Sequence, residues 1–404
     1  MKNTIFAPAD ILLPRDNFEG WSVIACDQFT SNADYWAETE RLTDGIPSAR
    51  HLIYPEVYLG KSDAAAVTES INRAMREYLD GGVYAEYPDA LIYVERVQSD
   101  GRLRAGLVGA VDLDQYDYNE GSTSRIRATE KTVLERIPPR VEVRKNASTE
   151  LPHVLMLLDD AERTVIEPLS LLAREGRMEK LYDFDLMQGG GHLTGYLVPK
   201  DLNDTICTLV EKLGERHGGM TLAVGDGNHS LATAKACREL GRTDLNRYAL
   251  CELVNIHSDA LSFEPIYRTV ENVDTDALLD AFLQYVSQKA PTGNREQTIT
   301  FVTRAGRREV RVENPPHALA VGTVQLFLDA YLPTVQGAVI DYIHGEDEVA
   351  SVVARGNACG FLYDCMGKSE LFDAVEREGV LPRKTFSMGH ARDKRYYTEA
   401  RRIK

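Results

Sequence analysis

The stretch VGDGNHSLATAKA, Val224 to Ala236, constrains this chain more than any other. Apolar residues lead into it, glycines interrupt, and a clean helical run follows. A strand that turns into a helix over so few residues implies layered α/β architecture. Such a turn needs one glycine and one cap, yet this one also carries Asp226, Asn228 and His229. Gly225 and Gly227 let the backbone bend sharply and let a ligand approach without a Cβ in the way. A helix beginning near Asn228 points its unpaired N–H groups and positive dipole end at whatever lies in front, which suits phosphate. His229 can donate to a phosphate oxygen, and Asp226 can accept a proton or bind a metal ion. The plain alternative is a capped helix, with Asn228 as the N-cap. The chain has neither GxxxxGK[ST] nor GxGxxG, so this is not a P-loop or a dinucleotide fingerprint.

A second cluster, Ile126 to Leu157, is unusually basic for a chain of net charge −16. Arg127, Glu130 and Lys131 are close enough to share one helix face, and Arg136, Arg140, Arg144 and Lys145 follow. Local cations offer donors to an anion; the plain reading is a solvated helix whose charges pair with one another. Asp27 with Gln28, after WSVIAC, and His257, after the apolar run ALCELVNI, stand at strand ends where α/β proteins place ligand contacts. Arg268 lies downstream of His257. GGGH, Gly189 to His192, reads as a hairpin turn, and the basic C-terminus as a docking tail, although Arg383 and Lys384 could reach an anion.

Elsewhere strand and helix signals alternate. The spacing of Val67, Ile71, Met75 and Leu79 predicts a helix over 62–80. ALIYVERV and LRAGLVGAVDL flank a hairpin turn at 99–102. WSVIACD, HVLMLLDD and TLAVG read as strands. The length of 404 residues suggests several domains; we expect an N-terminal α/β region over 1–120, a central phosphate-binding core over 121–290, and a C-terminal α/β subdomain with a tail over 291–404. The acidic balance argues against nucleic acid as a partner. No apolar run is long enough to cross a membrane, and MKNTIFAPADILLPRD lacks a signal-peptide core. Six scattered cysteines, without CxxC or zinc spacing, fit free thiols in a reducing cytoplasm.

Taken together, VGDGNHSLATAKA, RATEKT, LPHVLMLLDD, NIHSD with PIYR, and LPRKTF resemble a large prokaryotic family catalogued as domain of unknown function one thousand and fifteen. The resemblance runs from Asp27 to the C-terminus. It implies a mixed α/β fold around a ParB/sulfiredoxin-like phosphate-binding core, akin to that of free serine kinases. The implied activity is transfer of phosphate from ATP, ADP or pyrophosphate, with Mg2+, to a small hydroxyl acceptor, foremost free L-serine. On that pattern Asp226, His229 and Glu130 are catalytic, with Asp226 also touching the metal. Gly225, Gly227, Asn228, Ser230, Arg127, Lys131 and Lys384 hold phosphate, and Asp27, Gln28, His257 and Arg268 hold substrate. Ser230 stands where the family commonly has arginine, so another cation has to serve the turn. A nucleotide-binding regulator and a phosphohydrolase are the alternatives. The sequence leaves the oligomeric state open.

Overall fold

The structure is a computed structural model that describes residues 4–25, 29, 32–55, 63–132, 134–216, 218–290 and 295–404. The fold is mixed α/β with several sheets. The chain divides into two compact units, residues 1–261 with 389–404, and residues 262–388. Residues 262–290, expected with the central core, therefore lie in the second unit, because the strand Phe263–Glu271 pairs there with Val339–His344 and Ala358–Tyr363.

The first unit is built on a ten-stranded sheet among the described residues. Its order is Glu179–Asp185, His192–Leu197, Ile92–Val97, Leu103–Asp112, Tyr248–Asn255, Leu155–Leu158, Leu222–Asp226, Ile126–Ala128 and Tyr116–Asp117, with Phe6–Ala7 on Leu103–Asp112. Tyr248–Asn255 is buried at every position and sits mid-sheet, as its largely apolar sequence predicts. The hairpin at 99–102 forms with Val97 opposite Leu103. The expected helix over 62–80 runs from Ala64 to Asp80. The Asp63 side chain caps it, and Ile71 and Met75 are buried at four-residue spacing.

A four-stranded sheet orders Tyr84–Ala90, Ala9–Pro14, Ala400–Arg402 and Thr149–Glu150. The basic tail is thus a strand inserted between two early segments. Its Arg401 bonds the buried Glu150 at 2.9 Å, and Arg144 reaches the same carboxylate at 2.5 Å. Burial alone would raise the Glu150 carboxyl, but the two guanidiniums outweigh it and hold it low.

Residues 262–388 have their own sheet, ordered Gly306–Val312, Gln297–Thr303, Ala358–Tyr363, Phe263–Glu271 and Val339–His344, with Phe386–Met388 on Phe263–Glu271. Phe282, Phe327 and Phe361 meet edge-to-face in its core. The five described cysteines are free. Among the described residues, no helix is long and apolar enough to cross a membrane.

Two local expectations change. The described residues of WSVIACD, Trp21 to Ala25, form no strand: Phe18–Trp21 is a 3-10 turn, and Ile24 makes only an isolated bridge to Arg395. RATEKT is not helical either. Ile126–Ala128 is a short strand, and the nearest helix begins at Ile137, where two prolines suit a first turn. Helical spacing over so short a charged stretch was no match for an open sheet edge beside Leu222–Asp226.

Candidate functional site

The strand Leu222–Asp226 buries Leu222, Ala223 and Val224, then emerges so that Gly225 to Ser230 are all half-buried. Gly227 makes the bend. Its φ of 84° lies in the left-handed region, and a Cβ there would stand 2.3 Å from the His153 carbonyl oxygen. Two requirements, conformation and room, therefore fall on one glycine. The helix Asn228–Leu240 follows, with Gly227 and not Asn228 in the N-cap position. No side chain caps it. Asn228 is the first helical residue, and its Oδ1 is buried without a hydrogen-bond partner. The helix N-terminus is thus left open toward the half-buried turn.

Asp226 is the electrostatic centre of the bend. Its Oδ1 accepts from Gly227 N at 2.8 Å. Lys394 Nζ stands 2.8 Å from Oδ2, and His153 Nε2 lies 3.4 Å away. His153 is oriented from behind, since its Nδ1 donates to the Arg395 carbonyl at 2.8 Å. Burial pushes the Asp226 carboxyl up, but Lys394 first and His153 second outweigh it. The group is held well below the usual carboxylate range. Just over a quarter of its side chain, 27%, reaches solvent, enough to contact a ligand.

Glu130 is delivered to the same end of the sheet. The strand Ile126–Ala128 runs parallel to Leu222–Asp226 with Ala128 opposite Val224, and the Thr129 hydroxyl donates to Val224 O at 2.7 Å. Glu130 follows Thr129 as Asp226 follows Gly225. Arg127, by contrast, is 7% exposed and gives its Nε to Ser124 O, inside the fold. Lys131 is exposed and pairs with Glu120 at 2.7 Å. Lys394 contacts the turn, at Asp226. His229 and Ser230 sit in the first helical turn, His229 accepting at its carbonyl from Thr233 Oγ1.

His257 is placed elsewhere. It follows Asn255, which lies opposite Leu158, whereas Asp226 lies opposite Leu155, at the other end of the same strand. Three residue steps of strand, roughly 10 Å at about 3.3 Å per residue, part the two levels. His257 Nε2 pairs there with Asp159 at 2.5 Å. Arg268 and Lys384 belong to the second unit. The Arg268 guanidinium is fully buried, bound to Gln325, Tyr363 and the carbonyls of Ile266, Arg383 and Lys384. That makes it a tie for its own sheet. Lys384 Nζ lies over the Tyr342 ring. Asp27 and Gln28 lie outside the described residues.

Two functional candidates escaped the sequence reading: Lys394, inside a tail read as docking, and His153, the first residue of a strand-like run. A lysine amid a docking strand carries no local sign of function. His153 had a faint signal, a lone ionisable group beginning an apolar run.

The model of a family described as "Protein of unknown function (DUF1015)" matches residues 6–331. The chain belongs to this family. No curated protein matches it. Among solved structures, a free serine kinase in complex with AMP is similar at 13% identity and TM-score 0.38, over 69% of this chain and 86% of that one. SbnI with C-terminal truncation from Staphylococcus aureus is similar at 12% identity and TM-score 0.38, over 70% and 82%. A conserved hypothetical protein from Pyrococcus furiosus is similar at 11% and 0.35, over 69% and 89%.

Proposed function

We propose that this member of the DUF1015 family is a small-molecule phosphotransferase, phosphorylating free L-serine to O-phosphoserine with ATP, ADP or pyrophosphate as donor. One observation carries the reading. An aspartate kept ionised by Lys394 and His153 stands beside an uncapped helix N-terminus, at a bend that only glycine can make. The motifs shared with the family's phosphate-binding turn point the same way.

Phosphoryl transfer asks for charge neutralisation and in-line placement more than for covalent help. The N–H groups after Gly227 hold donor phosphate, and His229 steadies it. Lys394 supplies the fixed cation that Ser230 does not. A carboxyl held so far below its ordinary range is a weak base, so Asp226 is suited to a hard cation. Among the described residues no cluster of three carboxylate, histidine or cysteine groups could hold a metal ion. Mg2+ usually takes one or two carboxylates and completes its shell with phosphate oxygens and water, and Asp226 fits that use. When bound, it neutralises charge on the phosphates. Taking the hydroxyl proton falls to Glu130.

The test is phosphorus NMR of the protein with each donor, with and without L-serine. Asp226→Asn and His229→Ala are each expected to lower phosphoserine formation by about a hundredfold or more, with the folded state intact by circular dichroism. Full turnover in both variants removes the assignment. Nucleotide binding without product identifies a regulator, and inorganic phosphate without phosphoserine a hydrolase.

A further inference from the structure

Behind Lys394 the same segment turns a second cation inward. Arg395 is 1% exposed and forms no ion pair with a carboxylate among the described residues. Its Nε donates to Arg392 O at 2.7 Å and its Nη1 to Ser22 O at 2.9 Å, but its Nη2 is buried with no partner. Gly190 leaves the guanidinium its room, since a Cβ there would stand 2.5 Å from Nη2. An unmatched guanidinium donor is costly in a folded interior, and Arg395 lines a cavity of about 200 Å3.

The other walls explain what could match it. Arg392, Gln188, Asn32, Asp34 and Tyr35 also line the cavity. Asn32 caps the ten-residue helix Ala33–Leu42 by accepting from Tyr35 N, so that helix presents its N-terminal end to the space. Gln188, whose φ of 52° is unusual for a residue with a side chain, is held by bonds to Thr39 Oγ1 and Tyr35 O. Asp34 is exposed at the mouth and has no ion-pair partner among the described residues. One wall therefore wants an anion, and the rim offers an anion of its own. The volume is below the roughly 300–1,000 Å3 of pockets for drug-sized ligands, which suits a ligand of few atoms. The space is also coupled to Asp226: Arg395's own carbonyl orients His153, whose other nitrogen faces Asp226.

We infer that this cavity seats the phosphoryl acceptor and that it takes a small L-α-amino acid, carboxylate against Arg395 and the helix end, ammonium toward Asp34. The word acceptor rests on the phosphotransferase reading; the class of ligand rests on the cavity. A guanidinium whose Nη2 donor is unmatched and a helix N-terminus together suit a carboxylate, and only a zwitterion uses both ends of the pocket.

Calorimetric titration of the full chain, without any phosphate donor, tests this. L-Serine and L-alanine are expected to bind. Ethanolamine, which lacks the carboxylate, and L-glycerate, which lacks the ammonium, are expected to bind at least about tenfold more weakly, the size of one modest polar contact. Asp34→Asn lowers L-serine affinity by about tenfold and leaves L-glycerate unchanged, a selectivity that a folding defect would not give. Arg395→Lys, checked for folding, weakens L-serine and L-glycerate together. No heat from either amino acid, equal binding of ethanolamine and L-serine, or unchanged L-serine affinity in Asp34→Asn overturns the inference. If L-serine binds in the expected pattern yet no donor yields phosphoserine, the phosphotransferase reading falls and the amino-acid seat stands. If phosphoserine forms while Asp34→Asn and Arg395→Lys bind L-serine like the unaltered chain, the seat falls and the phosphotransferase stands.

Discussion

At the scale of single residues, the site is decided by which charges burial leaves unbalanced. Asp226 has its folded-state carboxyl below the unfolded value, so it adds stability that is present above the ordinary carboxylate range and is lost as pH falls below it. Lys394→Met removes the main counter-charge. We expect a loss of about 1–3 kcal/mol at pH 7, less than for a fully buried pair because both groups are partly solvated. The loss should shrink toward pH 3, which urea titrations at the two pH values check. Glu399 behaves in the opposite way. It is buried beside Tyr182, whose hydroxyl donates to it, and burial pushes its carboxyl up to about 7. Between its unfolded value and about 7 the native state holds the extra proton, so stability falls as pH rises through that window. Glu399→Gln should therefore gain on the unaltered chain between pH 5 and pH 8, by an amount on the order of 1–3 kcal/mol. An equal difference at both pH values contradicts the assignment.

At the scale of elements, the bend between Leu222–Asp226 and Asn228–Leu240 is the critical joint. Gly227→Ala places a side chain in the left-handed region and against the His153 carbonyl. The backbone alone costs about 1–3 kcal/mol, and the overlap adds to it by displacing His153 from Asp226. Thermal unfolding should show a lower midpoint, and phosphoserine formation should fall further than stability does. A variant as stable and active as the parent would mean the bend tolerates a Cβ. Most of these elements were legible. Apolar runs and four-residue spacings marked the strands and helices because burial acts directly on side-chain period. RATEKT was misread for the same reason: six residues rich in charge have no apolar period, and only the vacant edge beside Val224 drew Arg127 and Ala128 into a strand.

At the scale of the molecule, the C-terminal strand joins distant parts of one unit. Ala400–Arg402 pairs with Ala9–Pro14 and Thr149–Glu150, while Tyr397 bonds Val154 on both its N–H and its carbonyl. Truncation after Met388 removes Lys394, Arg395 and this strand together. We expect residues 262–388, with their own aromatic core, to keep a cooperative thermal transition. The remainder of the chain should lose its own transition. Calorimetry showing one transition lost as a whole contradicts the division into two units.

What the sequence by itself determined is the bend and the family. Glycine at 227, an acid at 226 and an open helix start are local facts, set by backbone sterics and the helix dipole within a few residues. What only the tertiary structure decided is the company Asp226 keeps. Lys394 lies 168 positions away and His153 lies 73 away, and no local period links either to the turn. They meet because an antiparallel strand ends at Leu155 beside Asp226 and the tail folds back over that end. Long-range pairing of this kind is set by which sheet edges are free once the core has packed, and that is a property of the whole chain.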